Sequence, residues 1–108
     1  MKKIFSNLVD DMDICAYTGY MGRDIERHHV FGGANRGHSE FYGLVLPLAP
    51  WIHPNGARFD EERCIETTGM TRKEIDHHMK VWAQTWFELN VTGGHEEFIK
   101  VFGRSWKG

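Results

Sequence analysis

Three histidines occupy positions in the sequence at which they could act in catalysis or metal binding. His28 and His29 are adjacent in the segment Arg27–Phe31, and His53 follows a later apolar segment. An imidazole titrates at about pH 6.5, so at neutral pH it can accept a proton from water. A neutral imidazole nitrogen is also a common ligand of divalent metal ions. The pattern therefore makes these residues candidates for a general base and for metal ligands.

Two segments of strand length must position these histidines. Arg27–Phe31 has the composition of a strand and is ended by Gly32-Gly33. The apolar segment Tyr42–Leu48 predicts a second strand, with Pro47 near its end or on an edge. The polar stretch Ala34–Glu40 between them is predicted to be a loop. The sequence thus indicates a β-hairpin with the paired histidines on its first strand.

Neighbouring side chains on a regular strand point to opposite faces. His28 and His29 can therefore face one site only if the strand ends or bulges at the pair. Pro50 suits the first turn of a helix, and Pro54-Asn55-Gly56 limits that helix to about one turn. This short helix would bring His53 towards the pair.

The C-terminal half has clear helical signals. Thr71 and Glu74 have capping-box spacing, and the apolar residues behind them recur at helical intervals, which predicts a helix over residues 72–89. A second helix is predicted over 94–102, with Gly103 as its C-terminal stop. Trp106 is expected to fold back onto the same core. Two packed helices should therefore follow the hairpin.

Composition limits the function classes. The chain has 108 residues, 41% of them hydrophobic and 26% charged, which is typical of one globular domain. A net charge of −2 argues mildly against a simple nucleic-acid coat protein. We find no signal peptide and no apolar run of the roughly 20 residues needed to span a bilayer. The two cysteines are too few for a disulfide framework. These features predict a cytoplasmic protein without a membrane partner.

The segment from Arg27 to Leu48 resembles a group of small phage and prophage HNH endonucleases. Those proteins have a paired His, a Gly-x-Ala-Asn-Arg loop, a Ser-Glu and a Gly-Leu-Val strand, all present here between residues 28 and 45. Their Glu-Phe-Ile-x-x-Phe-Gly ending matches Glu97–Gly103, and Ala83-Gln84 with Phe87-Glu88 matches the preceding helix. The resemblance covers roughly residues 14 to 106.

The resemblance implies a ββα-metal site with one divalent ion, Mg²⁺, Mn²⁺ or Zn²⁺. By position, His28 and His53 would be the metal ligands and His29 the general base. Asn35 and Arg58 would be supporting catalytic groups, and Arg36 and Arg58 are candidate phosphate contacts. The implied reaction is hydrolysis of DNA phosphodiester bonds in the cytoplasm of a bacterial host.

The chain departs from the family at its structural zinc site. Relatives commonly have Cys-x-x-Cys before the first strand, and here Cys15 is followed by Thr18 in the second position. The later ligand positions hold Ala49 and Ile52. Because a structural zinc needs four ligands, none is expected, and packing of Ala49, Ile52, Trp51 and Tyr17 should fill the space.

Two further departures concern the catalytic metal. Arg58 stands where relatives often have another His, and Gly43 stands at the position of the Asn in the family name. The two histidine ligands would then be completed by water, phosphate or a carboxylate such as Asp60.

We therefore predict a single α+β domain over residues 1–108. It would comprise an N-terminal arm (1–13), a ββα-metal (HNH-like) hairpin-helix core (14–60) and a part with two C-terminal helices (70–106). The leading function is a metal-dependent HNH-type DNA endonuclease of phage or prophage origin. The alternative is a catalytically impaired HNH scaffold that binds DNA, or that binds and inhibits a host nuclease or recombination protein. A helical interaction domain without metal is a third possibility, against which the C-terminal match argues.

Overall fold

The structure, a computed structural model, describes residues 4–108. Over this range the fold is α+β, with one two-stranded antiparallel sheet and four α-helices. The elements, in chain order, are β1 (Glu26–His29), a 3-10 turn (Gly33–Asn35), α1 (Arg36–Phe41), β2 (Val45–Leu48), a second 3-10 turn (Pro50–Ile52), α2 (Glu61–Thr68), α3 (Arg72–Asn90) and α4 (Gly94–Phe102). Residues 1–3 of the predicted N-terminal arm lie outside the described range, and residues 4–13 contain no helix or strand.

The two predicted strands pair with each other, as expected for a hairpin. His28 lies opposite Leu46 and His29 opposite Val45, and every residue of β2 is buried. One more backbone bond, from Val30 N–H to the Leu44 carbonyl oxygen (3.0 Å), extends the pairing beyond β1. Both strands are shorter than predicted, and β1 ends at His29.

The connection between the strands corrects the prediction of a loop over Ala34–Glu40. It forms the short helix α1, which is tied to the end of β1 by the fully buried Ser39. The Ser39 hydroxyl donates to the Phe31 carbonyl oxygen (2.8 Å) and accepts from the Phe31 N–H (3.0 Å). Gly43 then turns the chain into β2 with φ +66°, a conformation that favours glycine. The helix depends on these polar contacts rather than on an apolar face.

Helix α2 was not predicted, because its sequence has little apolar periodicity. Cys64 is its one buried residue. The helix begins with a cap, in which the Asp60 carboxylate accepts from Arg63 N–H (3.2 Å), and Gly69 ends it in the left-handed conformation. Capping at both ends stabilises a helix that the hydrophobic pattern alone does not reveal.

Both C-terminal helices are confirmed. α3 begins with the predicted capping box, in which the Thr71 hydroxyl accepts from Glu74 N–H and the Glu74 carboxylate accepts from Thr71 N–H. It ends one residue beyond the predicted boundary, at Asn90, and α4 has the predicted bounds. Gly103 ends α4 with φ +90°. The remainder of the chain folds back onto the core, as expected.

An aromatic cluster joins the end of β1 to the C-terminal helices. Phe98 of α4 lies 5.5 Å from Phe31 and 5.3 Å from Phe87, between ring centroids. Trp106 packs against the same cluster at 4.8 Å from Phe31, so its prediction is confirmed. Edge-to-face pairs of this kind add to the free energy gained by burying the rings. The cluster therefore connects the backbone beside the histidine pair to α3 and α4.

Three of the four positions at which the resembled family commonly has zinc ligands lie within the hydrophobic core. Cys15, Ala49 and Ile52 are buried, Trp51 is 9% exposed, and Tyr17 packs against the same cluster. The predicted packing of these side chains is confirmed. No helix in the described part of the chain is both long and apolar enough to cross a lipid bilayer.

A polar network links α3, α4 and the C-terminal segment. Its centre is Glu88, whose carboxylate accepts from Gln84 (2.9 Å) and Lys107 (2.9 Å) and contacts His95 Nδ1 (2.7 Å). Burial raises the pKa of this carboxyl group, but hydrogen bonds and the Lys107 charge outweigh burial and lower it to about 2. The ionised carboxylate therefore stabilises the fold.

This network predicts a pH dependence of stability. The pKa of Glu88 is lower in the folded state than the value of about 4.3 expected for an unfolded chain. Its contribution is therefore complete above about pH 4.5 and is lost as the pH falls towards 2. In urea titrations, Glu88→Gln should cost about 1 kcal/mol at pH 7 and nearly nothing at pH 2.5. An equal cost at both values would contradict this assignment, and Glu62→Gln, at an exposed site in α2, is the control.

Candidate active site

The three predicted histidines line one cleft. This depression has a volume of about 270 Å³ and lies where the end of β1 faces the turn after the second 3-10 segment. We call it the histidine cleft. It is lined by His28, His29 and His53 together with Arg27, Gly32, Gly33, Arg36 and Asn55. The structure thus brings together residues that are far apart in the sequence.

His28 and His53 form the inner wall of the cleft. Their ring centroids are 4.8 Å apart, with the rings at 66° to each other. His28 is 4% exposed, and burial, with the neighbouring charges of His53, Lys80 and His29, lowers its pKa to about 3. The His28 ring is therefore neutral at physiological pH, which is the form that ligates metal ions. His53 follows the 3-10 turn instead of lying on a helix, which corrects its predicted placement.

Glu26 orients His53 from the start of β1. Its Oε1 atom lies 2.6 Å from His53 Nδ1, and the two side chains are 28% and 17% exposed. Because an ionised carboxylate can only accept, Nδ1 carries the hydrogen, and in the neutral ring Nε2 is left with a free lone pair. Carboxylates that hold a histidine in this way are typical of metal-ligating imidazoles.

Gly56 leaves the space that this pair needs. A Cβ atom at this position would lie 2.8 Å from both Glu26 Oε1 and His53 Nδ1. No real side chain makes contacts this short without displacing its neighbour. The turn around Gly56 is therefore shaped by the close approach of the Glu26–His53 pair to the backbone.

His29 lies at the last position of β1 and is 7% exposed. Burial and the positive charge of Arg36 lower its pKa from the ordinary value, while Glu40 opposes the shift. The Nε2 atoms of His28 and His29 are both buried and have no hydrogen-bond partner among the described residues. Buried polar atoms in proteins are nearly always paired, so each of these nitrogens is expected to have a partner such as a water molecule or an ion. Both histidines line the cleft, although they are neighbours in the regular pairing of β1 with β2.

Asn35 and Arg58, the other two predicted site residues, do not line the cleft. The Asn35 amide donates to the Phe102 carbonyl oxygen (3.3 Å) and so holds the 3-10 turn against α4. Arg58 is 66% exposed and pairs with Asp24 at 3.6 Å. Arg36, already a candidate phosphate contact, lines the cleft instead.

Glu26 and Asn55 are among the site residues that the sequence did not predict. Glu26 is a single acidic residue at the start of a strand, and Asn55 belongs to a Pro-Asn-Gly turn. Both patterns are common in parts of proteins that have no catalytic or binding role, so the sequence alone does not mark these two residues as site residues. Their roles emerge only when the turn folds against β1.

The ligand set that the cleft offers to a metal ion is small. In the range 4–108, no group of three or more His, Cys, Asp and Glu side chains is arranged to hold a metal. His28 and His53 supply two imidazoles, and Asp60, suggested as a further ligand, caps α2 through its carboxylate. These two imidazoles are the metal ligands that the resemblance implies, and the described residues add no third protein ligand beside them.

Comparison with known proteins gives one partial similarity. No protein-family model matches the chain, and no solved structure matches it. Ribonuclease Y from Geobacillus thermodenitrificans (strain NG80-2) is 42% identical over 48 residues, a segment that covers 44% of this chain and 9% of that protein. The chain therefore matches only a small part of that relative's length.

Proposed function

We propose that the protein is a metal-dependent endonuclease of the HNH type, of phage or prophage origin, which hydrolyses DNA phosphodiester bonds in the histidine cleft. One observation carries the proposal. Three histidines from two segments line one cleft, two of them with unpaired buried nitrogens and the third oriented by a carboxylate.

His28 and His53 would hold the divalent ion, Mg²⁺, Mn²⁺ or Zn²⁺. Bound there, such an ion would neutralise charge on the phosphate and assist the departing oxygen. Glu26 fixes the tautomer and direction of the His53 ring. The neutral state of His28, maintained by burial, leaves its nitrogen available as a ligand.

His29 would be the general base. A neutral imidazole can accept the proton of the attacking water, and the lowered pKa of His29 keeps the ring neutral at pH 7. The lowered pKa also makes His29 a weaker base than a solvated histidine. Proximity to the bound phosphate must therefore contribute to the rate.

Arg36 would bind the phosphate. Its guanidinium lines the same cleft, and its charge is near enough to His29 to lower the pKa of that ring. A guanidinium can bind two phosphate oxygens at once, which orients the scissile group. Arg36 thereby takes the role that the sequence suggested for Arg58.

Ribonuclease Y, to which the chain is similar in part, is by its name a nuclease, and the match covers 9% of its length. By its name, that protein acts on RNA. A cleavage assay should therefore include an RNA of the same sequence beside the DNA substrate. Preference for DNA is the expected result.

Metal affinity tests the ligand assignment. Isothermal titration with Mn²⁺ should detect one site in the wild type, and the double variant His28→Ala/His53→Ala should bind at least about 100-fold more weakly. Because His28 is buried, His53→Ala alone is the safer variant, with circular dichroism to verify folding. Unchanged affinity in either variant would overturn the assignment.

Plasmid nicking tests the activity itself. The wild type should nick supercoiled plasmid in Mg²⁺ or Mn²⁺ and should stop on addition of EDTA. No cleavage of DNA or RNA with any of the three metals would contradict the proposal. In that case the alternative function, a scaffold that binds DNA or a host nuclease or recombination protein, would be favoured.

A further inference from the structure

A second depression adjoins the histidine cleft. It has a volume of about 520 Å³ and lies between the Pro54-Asn55 turn, the start of α2 and the first turns of α3. Its walls are Pro54, Asn55, Glu61, Thr71, Arg72, Lys73, Asp76 and Lys80. We call it the α3 groove. Asn55 lines both the α3 groove and the histidine cleft, so the two depressions are adjacent at this residue.

The charges of the α3 groove are unbalanced in favour of cations. It has three cations, Arg72, Lys73 and Lys80, and two acidic residues, of which Asp76 pairs with Lys80 at 2.7 Å and Glu61 accepts from the Arg72 backbone N–H at 3.2 Å. The side chains of Arg72 and Lys73 are exposed and have no carboxylate within 4 Å among residues 4–108. Arg72 lies over the ring of Phe59, 4.3 Å from its centroid, which holds its guanidinium in place.

The histidine cleft has the same character. Arg27 and Arg36 are exposed, line the cleft, and make no ion pair within the described part of the chain. Lys80, which lines the α3 groove, is paired with Asp76 and adds no unpaired charge. Both depressions are nevertheless lined by unpaired cations, although the whole chain carries a net charge of −2.

Unpaired cations that line two adjacent depressions suit a polyanion, whose charges repeat along its length. We propose that the α3 groove binds the DNA backbone beside the bond held in the histidine cleft, so that one duplex crosses both depressions at Asn55. This inference rests on the proposed function for its choice of polyanion. Arg72 and Lys73 contact phosphates and not base edges, so the groove adds affinity without sequence preference.

The experiment measures binding in EDTA, where no cleavage takes place. A short fluorescein-labelled DNA duplex is titrated with the protein at several NaCl concentrations, and fluorescence anisotropy gives Kd. Each lost phosphate contact should reduce the slope of log K against log salt by about 0.9. Arg72→Gln/Lys73→Gln should weaken binding about 10-fold and reduce this slope by about 2. Lys73→Gln alone, which leaves the Phe59 contact intact, should reduce it by about 1.

Lys100→Gln is the matched control. Lys100 is exposed on α4, makes no ion pair in the described range, and lines neither depression, so this variant loses the same charge elsewhere. Its slope should equal that of the wild type. Equal slopes for Lys73→Gln and Lys100→Gln, or no binding of the duplex by the wild type, would overturn the inference. Binding through the groove without any nicking would support the DNA-binding groove and reject the proposed nuclease function. Nicking with a slope that the groove variants leave unchanged would support the nuclease function and reject the groove.

Discussion

Replacing His29 by alanine should reduce the rate of plasmid nicking about 10² to 10⁴-fold, the usual contribution of a general base. The expectation follows from the position of His29 at the end of β1, with an unpaired nitrogen beside the cleft and a pKa below the ordinary value. The initial rate of conversion of supercoiled to nicked plasmid in Mn²⁺ measures the effect.

Two controls separate a catalytic role of His29 from a structural one. Mn²⁺ affinity should change little in His29→Ala, because the proposed ligands are His28 and His53. His77→Ala should retain the wild-type rate, since His77 is exposed on α3 and lines neither depression. A His29→Ala protein that nicks at the wild-type rate would exclude His29 as the base.

Replacing Phe98 by alanine should have the largest effect on stability, about 3–5 kcal/mol. Phe98 is fully buried and contacts rings from three parts of the chain, with centroids 5.5 Å away at Phe31, 5.3 Å at Phe87 and 4.7 Å at Phe102. Its removal leaves a cavity that these rings cannot fill without moving from their edge-to-face and stacked positions. Urea titration followed by tryptophan fluorescence measures the free energy of unfolding.

Phe41→Ala is the control for this measurement. Phe41 is 71% exposed at the end of α1, so its removal should change the free energy of unfolding by less than about 0.5 kcal/mol. If both variants lost similar stability, the aromatic cluster would not be the part of the core that joins β1 to the C-terminal helices.

The sequence predicted the elements whose stability comes from an apolar face. α3 buries Ile75, Met79 and Ala83, and their helical spacing is visible before folding. The shorter helices α1 and α2 each bury a single residue, Ser39 and Cys64. They depend on caps and on side-chain hydrogen bonds to distant backbone atoms. Contacts of this kind leave no periodic signal in the sequence, so a loop was predicted at α1 and no element was predicted at α2.

The candidate site, like the fold, was predictable in part. Histidine is uncommon and reactive, so a paired His28-His29 and a later His53 attract attention, and the structure places all three around one cleft. Asn35 and Arg58 were assigned from sequence position alone, which does not reveal that they bind Phe102 and Asp24. The contribution of Glu26 depends on a turn that folds across the sheet, a long-range contact that local pattern does not encode.

The bare backbone at Gly56 also limits how this sequence can diverge. A methyl group at Gly37 would meet no atom within 4 Å, so an added side chain there is free of collisions. At Gly56 the same methyl group would press on both Glu26 and His53 and separate the acid from the imidazole. Selection for the cleft would therefore act on a residue with no functional group of its own. The orientation of His53 therefore depends on the absence of a side chain at Gly56 as well as on the contact between Glu26 and His53.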